Sequence, residues 1–411
     1  MTAPKPALDQ QAQDQQTRRI HHPYRPPQGF AAMLAPVHKA STVFFDSVAA
    51  MRARDWRQED CYSYGLHGTP TTFTLAAQIA DLEGGQYCLL CPSGLSAIAV
   101  VNLALLQAGD EVWLPNNAYG PAIDMAQQLM VGYGVQSRFY DPLDASSLQL
   151  TAQSKLVWLE AAGSITMEFP DLTGLIATAQ AAGVLTVIDN TWGAGLAFNP
   201  FALGIDLSIH ALTKYPSGGG DVLMGSIVCQ QTELHLQLKN VHAQLGIGIA
   251  GNDAELVLRS LPTLALRYAQ QDRSARQLAH WLLARPEIAQ VLHPALADSA
   301  GHDDWQQVCG DADLAAGLFS VIFDPAFTQA EVDQFCDGLS LFKIGFSWGG
   351  PMSLVMPYAL AQIRPMGTPH LVNGCLVRFS VGLEAVDDLI ADLKQSLNHC
   401  KKVPFNNVDQ S

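Results

Sequence analysis

At 411 residues and 48% hydrophobic side chains, the chain has ample apolar material for a large core, most simply divided between two domains. A formal charge of −15 with no lysine- or arginine-rich block argues against nucleic acid and anionic membranes as partners, and no uninterrupted apolar run is long enough to cross a bilayer. The eight cysteines are scattered, and the polar, glutamine-rich amino terminus lacks a secretory core, which points to a soluble protein of the reducing cytoplasm.

Residues 1 to about 40 show no sustained apolar period and read as a poorly ordered start followed by an extended arm. From about residue 70, short apolar runs alternate with amphipathic stretches. Cys88 to Cys91, Glu111 to Leu114, Leu156 to Leu159, Leu185 to Ile188 and Leu207 to Ala211 read as buried strands. Gly94 to Leu106, Pro121 to Met130 and Leu172 to Ala182 read as helices, the last capped by Asp171 and ended by Gly183. The pattern is an α/β fold with a mainly parallel sheet. A long helical stretch from about Ala254 to Leu283 then leads into a smaller α+β domain. There Leu318 to Phe323 and Cys375 to Phe379 read as strands and Ala385 to Leu397 as a helix. Cys88 and Cys91 have the spacing of half a zinc site, but without a second pair they read as buried thiols, and no metal is expected.

Five places along this pattern carry chemistry. Lys214, in Ser208-Ile209-His210-Ala211-Leu212-Thr213-Lys214-Tyr215, follows by 25 residues Asp189 at the exit of the run Val187-Ile188-Asp189. A lysine that can form a Schiff base and an acid that can hold a pyridine nitrogen protonated are the two groups a pyridoxal phosphate enzyme needs for carbanion chemistry on an amino acid. Gly94 and Leu95 open a helix just after a strand, where their backbone amides suit a phosphate. Tyr119, in Asn117-Ala118-Tyr119-Gly120-Pro121 at the end of the next strand, can lie on a planar heterocycle, or simply pack in the core. Arg378 is a lone cation in the apolar strand Leu376-Val377-Arg378-Phe379-Ser380. It needs an anionic partner, either a substrate carboxylate or an internal Asp or Glu.

The order of these elements resembles the Cys/Met-metabolism group of fold-type I pyridoxal phosphate enzymes, in its bacterial cystathionine β-lyase branch. The likeness runs from about Ser41 to about Lys394. It is carried by Gly163-Ser164-Ile165-Thr166-Met167-Glu168, Ile188-Asp189-Asn190-Thr191-Trp192, Ala211-Leu212-Thr213-Lys214-Tyr215, His293-Pro294-Ala295-Leu296 with Gly301-His302, Ser347-Trp348-Gly349-Gly350 and Gly382-Leu383-Glu384. The first and the Ser-Trp-Gly-Gly element separate this branch from the γ-lyases and γ-synthases.

The resemblance implies an aspartate aminotransferase-like fold with three parts: an arm over 1–69 that reaches a neighbouring subunit, a large cofactor domain over 70–265 and a small domain over 266–411. It implies that Lys214 binds pyridoxal 5'-phosphate covalently and that Asp189 pairs with its ring nitrogen. Tyr119 would stack on the ring, and Thr213, Gly94, Leu95 and the neighbouring subunit's copy of Tyr64 would hold the phosphate. Ser347 and Arg378 would anchor a substrate α-carboxylate beside the wall formed by Trp348. A homo-oligomer, a dimer of dimers with shared sites, is implied. The implied reaction is β-elimination of L-cystathionine to homocysteine, pyruvate and ammonia, a step in methionine biosynthesis. The alternatives are a broader cysteine-S-conjugate lyase or desulfhydrase, a γ-lyase, and a non-catalytic binding protein on the same scaffold. Three departures bear on these: Leu66 where the family has arginine, leaving His67 to compensate; Gly218-Gly219-Gly220-Asp221 in place of Gly-His-Ser-Asp; and Phe346 where the lyases commonly have tyrosine.

Overall fold

The computed structural model describes residues 14–21, 24, 27–29, 32–55, 61–364 and 368–400. Its larger sheet contains β1 (Tyr87–Cys91), β2 (Glu111–Pro115), β3 (Gln136–Tyr140), β4 (Ser154–Glu160), β5 (Leu185–Asp189), β6 (Leu207–His210) and β7 (Gly225–Cys229), in the order β1-β7-β6-β5-β4-β2-β3. All pairings are parallel except the two made by β7. Because β7 reverses direction between β1 and β6, the carboxyl ends of β1, β6, β5, β4 and β2 still meet at one edge. Leu156, Val157, Val187, Ile188, Leu207 and Ile209 are completely or almost completely buried, as strands covered by helices on both faces must be.

A second sheet is built from β8 (Ile288–Leu292), β9 (Leu318–Phe323), β10 (Lys343–Ile344), β11 (Leu354–Tyr358) and β12 (Leu376–Ser380), in the order β10-β11-β12-β9-β8. Its pairings are antiparallel apart from β10 with β11. The expected mainly parallel sheet and the smaller α+β unit after it are both present.

Helix punctuation follows side-chain chemistry. Asp171 accepts from the Gly174 amide at 2.8 Å and caps Leu172–Ala181, and Gly183 ends the segment at φ +66°. Three expectations need correction. The stretch from Ala254 to Leu283 is two helices, Gly251–Ser260 and Leu264–Leu283, parted by a 3-10 turn over Leu261–Thr263, because Pro262 has no amide to donate. The segment Pro121 to Met130 begins as the helix Gly120–Asp124 and widens into a π-helical turn over Met125–Met130. The arm contains the helix Gln15–Ile20, capped by Asp14 and tied down by an Arg18–Asp81 ion pair at 2.9 Å. Residues 1–13, the earliest part of the arm, lie outside the described residues.

Glu168 joins the segment after β4 to the chain between β11 and β12. Its carboxylate accepts from Asn117 Nδ2 at 3.0 Å, Thr166 Oγ1 at 2.6 Å and His370 Nε2 at 2.9 Å, and pairs with Arg364 Nη2 at 3.1 Å. Burial by itself would raise its pKa. His370, Arg364, Thr166 and Asn117 outweigh that and hold it at about 2. The contribution of this lowered group is present above the ordinary carboxylate range, near 4.3, and is lost as pH falls through about 2. Glu168→Ala should cost about 3–5 kcal/mol, the loss typical of breaking a buried pair. Urea unfolding at pH 7 and at a series of acid values would show a wild-type advantage that shrinks as the carboxylate protonates; an advantage independent of pH would place the stabilisation elsewhere.

Candidate active site

The site is assembled at the edge where the strand carboxyl ends converge, the usual place for a ligand in a wound α/β sheet. After β1, Ser93 caps the helix Gly94–Leu105, and the Ser93 and Ser96 side chains satisfy each other's amides at 3.0 Å. The Gly94 and Leu95 amides have no acceptor among the described residues and stand at the positive end of a twelve-residue helix. Gly225 on β7 passes close beneath this turn: a β-carbon there would come within 2.4 Å of the Ser93 carbonyl oxygen.

Asp189 ends β5, in register with Glu160 at the end of β4. Thr191 donates both its amide and its hydroxyl to Asp189 Oδ1, which leaves Oδ2 without a hydrogen bond among the described residues. Burial raises the Asp189 pKa while the Thr191 bonds oppose the rise. A carboxylate disfavoured by burial, with one oxygen unclaimed, is a seat for a cationic N–H donor. Burial, reinforced by Asp189, pushes Glu160 well above the ordinary carboxylate range and so toward its neutral form. Glu160 Oε2 accepts the Tyr119 amide at 2.7 Å and fixes the backbone of that residue at the mouth of the site. Tyr119 is 40% exposed, and its phenol is raised by burial and by Asp189 and Glu160.

Lys214 lies in the turn after β6. Its Nζ donates to Ser347 Oγ at 2.8 Å and stands 5.5 Å from the centre of the Trp348 ring. Burial lowers the Lys214 pKa to about 8, Arg378 acting in the same direction and Asp189 opposing. Ser347 is held at φ +85°, a strained conformation for a residue with a side chain. The following bend brings Gly349 against the lysine backbone, where a β-carbon would sit 2.8 Å from the Tyr215 nitrogen. Tyr215 braces the contact: its phenol accepts the Gly317 amide at 2.8 Å, and its ring meets Trp348 edge-on at 5.5 Å.

Arg378, on β12, is buried and donates from Nη1 to the Ser164 carbonyl at 3.1 Å. Among the described residues it pairs with no Asp or Glu, so the internal-carboxylate reading of this arginine is not what the fold uses.

Lys214, Asp189, Tyr119, Ser347, Trp348, Arg378 and the Gly94–Leu95 amides therefore belong to one site. Two expected members stand differently. The Thr213 hydroxyl is engaged with the backbone of Met224, accepting its amide at 3.0 Å and donating to its carbonyl at 3.2 Å, so a phosphate contact requires the hydroxyl proton to turn away. Tyr64 makes no hydrogen bond or ring contact with any of these residues; it is 46% exposed and its ring meets His67. Leu66, nearby, lies over Gly248, and Phe346 is 69% exposed. A cavity of about 700 Å³ lined in part by Leu66, His67 and Ile249 opens on that face and includes none of the residues around Lys214. Cys91 is a buried thiol pushed up to about 12 by desolvation.

Sequence reading missed Glu160 and Thr191. Glu160 carried a usable signal: like Asp189, it is an acid closing a buried apolar run.

The Cys/Met metabolism PLP-dependent enzyme family model matches residues 16–398. The chain belongs to that family. It is 37% identical to a cystathionine beta-lyase of Escherichia coli, covering 88% of this chain and 92% of the relative. It is 35% identical to a cystathionine beta-lyase of Bordetella avium, covering 92% and 94%. Among solved structures, cystathionine gamma synthase from Xanthomonas oryzae pv. oryzae superposes with a TM-score of 0.86 at 29% identity, over 95% of this chain and 99% of that one. The fold is fold type I, the cofactor is pyridoxal 5'-phosphate, and the protein is a carbon–sulfur lyase of this class. The residues present fit the cofactor: a buried lysine of lowered pKa, an acid with an unclaimed oxygen and a helix terminus with free amides.

The lowered Lys214 pKa is open to direct test. In cofactor-free protein, acylation of Lys214 by a limiting amount of acetic anhydride, which releases acetate, followed by mass spectrometry, should show a rate that rises with pH and levels above about 8. An inflection near 10.4, the ordinary lysine value of about that size, would contradict the desolvated pocket.

Proposed function

We propose that the enzyme cleaves the Cβ–S bond of L-cystathionine by β-elimination, releasing homocysteine for methionine formation, with pyruvate and ammonia. The observation that supports this reading is the Lys214–Ser347 hydrogen bond: the Lys214 amine lies against the Ser-Trp-Gly-Gly loop and within the electrostatic reach of Arg378, which pairs with no carboxylate among the described residues.

When bound, pyridoxal phosphate supplies an electron sink for the substrate α-carbon. The chain's own residues do the rest. Asp189 holds a positive charge at its unclaimed oxygen, and the Gly94 and Leu95 amides receive the phosphate. Thr213 contributes a hydroxyl there once it releases Met224. Tyr119, held by Glu160, covers one face. Arg378 and Ser347 take the substrate α-carboxylate, and Trp348 walls the side-chain path. Lys214 Nζ removes the α-proton; as the Cβ–S bond breaks, the sulfur leaves with the bonding electron pair and takes a proton from Lys214.

The reading includes a cytoplasmic homo-oligomer in which Tyr64 of one subunit reaches the phosphate bound by the next. A run of exposed apolar side chains, Phe44, Val48, Tyr62, Tyr64 and Leu66, supports such a shared face, and the dimer of dimers extends it. The large cofactor domain over 70–265 and the small domain over 266–411 complete the proposed organisation. A broader cysteine-conjugate lyase is the second reading, favoured by Phe346, which lacks the hydroxyl common in the lyases.

Pyruvate release from cystathionine, cystine and cysteine, assayed side by side on the holoenzyme, decides between the two. The first reading expects the highest kcat/KM for cystathionine; comparable values would favour the second, and no pyruvate from any would overturn both. Lys214→Ala should lower turnover by at least about 10²–10⁴, the size of an acid–base contribution. Arg378→Ala should cost about 2–5 kcal/mol in kcat/KM for every amino-acid substrate. An effect confined to one substrate would remove Arg378 from the carboxylate.

A further inference from the structure

Tyr358 ends β11, the strand paired antiparallel with the one that carries Arg378. Met356 is directly opposite Arg378, and Tyr358 opposite Leu376. Tyr358 and Arg378 are therefore diagonal neighbours on one face of the sheet, a separation that long side chains can bridge. They do meet: the guanidinium carbon lies 5.4 Å from the centre of the tyrosine ring, within the range of a cation–π contact.

That contact complements a second one, to the backbone. A guanidinium carries five N–H donors in a rigid plane, and the Ser164 carbonyl takes one of them at Nη1. A single hydrogen bond leaves the plane free to tilt about it. An aromatic ring restricts the tilt without using any N–H, because the attraction acts through the ring's electron-rich face. Bidentate capture of a carboxylate depends on that plane, since both N–H···O bonds must be parallel. Tyr358 is partly buried against the core, which limits its own movement.

We propose that Tyr358 is a positioning residue whose ring fixes the plane of the Arg378 guanidinium, so that two of its N–H groups face the α-carboxylate of an amino-acid substrate. This rests on the assignment of Arg378 as the carboxylate anchor. The ring, not the hydroxyl, performs the task, and its effect falls on substrate binding more than on the bond-breaking step.

The test compares holoenzyme variants Y358A, Y358L, Y358F and R378K by KM and kcat for cystathionine. It adds the inhibition constant of glycine, which presents the carboxylate without a leaving group. Y358A and Y358L should raise KM and the glycine constant about three- to thirtyfold, the range a cation–π contact supports, with a smaller change in kcat. Y358F, which keeps the ring, should recover both constants. Unchanged constants in folded Y358A or Y358L, judged by thermal midpoint and bound cofactor, would overturn the proposal; so would loss of binding in Y358F equal to that in Y358L. R378K separates the two assignments. If it leaves both constants intact, the anchor reading itself falls; if it raises them while Y358L does not, the anchor stands and only the role of Tyr358 is wrong.

Discussion

The desolvation of the Lys214 amine is the constraint around which the site is arranged. In water that amine would be almost wholly protonated at neutral pH and useless as a base. Here burial, with the positive charge of Arg378 adding to it, brings its pKa to about 8, while Asp189 keeps the shift from going further. The two carboxyls at the ends of β4 and β5 share this balance. Glu160 is driven toward its neutral form, and Asp189 gains the two Thr191 bonds that favour its ionised state. A buried acid so placed would be more strongly favoured as an anion with a cationic N–H at its other oxygen, which is how these residues fit the cofactor.

Coupling between the two sheets makes the arrangement possible. Lys214 and Asp189 come from the parallel sheet; Arg378 comes from the antiparallel one, and Ser347 and Trp348 from the chain between β10 and β11. Three contacts set their relative position. Glu168 gathers Arg364 and His370, Tyr215 bonds to the Gly317 amide and stacks edge-on against Trp348, and Ser164 accepts from Arg378. The Gly163–Glu168 segment thus acts at both ends: Ser164 touches Arg378 and Glu168 the clamp.

What the sequence disclosed follows local physics. The runs ending at Asp189 and preceding Lys214 were legible because strands covered on both faces are continuously apolar, so an acid or lysine at their exit stands out. The Gly94 helix start was legible from its strand-to-helix turn. The edge strand β3 was missed because Gln136 and Arg138 alternate with less exposed residues and break any apolar run. The break at Pro262 was missed because the apolar period continues through it on both sides. Tyr358 carried no local signal at all, since only the antiparallel pairing of β11 with β12 brings it to Arg378. Tyr64 and Leu66 were noted from family resemblance alone, and both are exposed here.

The central claim is that Lys214 is the group that carries the cofactor. Borohydride reduction of the purified holoenzyme, followed by proteolysis and mass spectrometry, locates that bond irreversibly. The account predicts a pyridoxyl phosphate adduct on the peptide containing Ala211-Leu212-Thr213-Lys214-Tyr215 and on no other lysine peptide. An adduct on a different lysine, or none in protein that retains its cofactor, would contradict it.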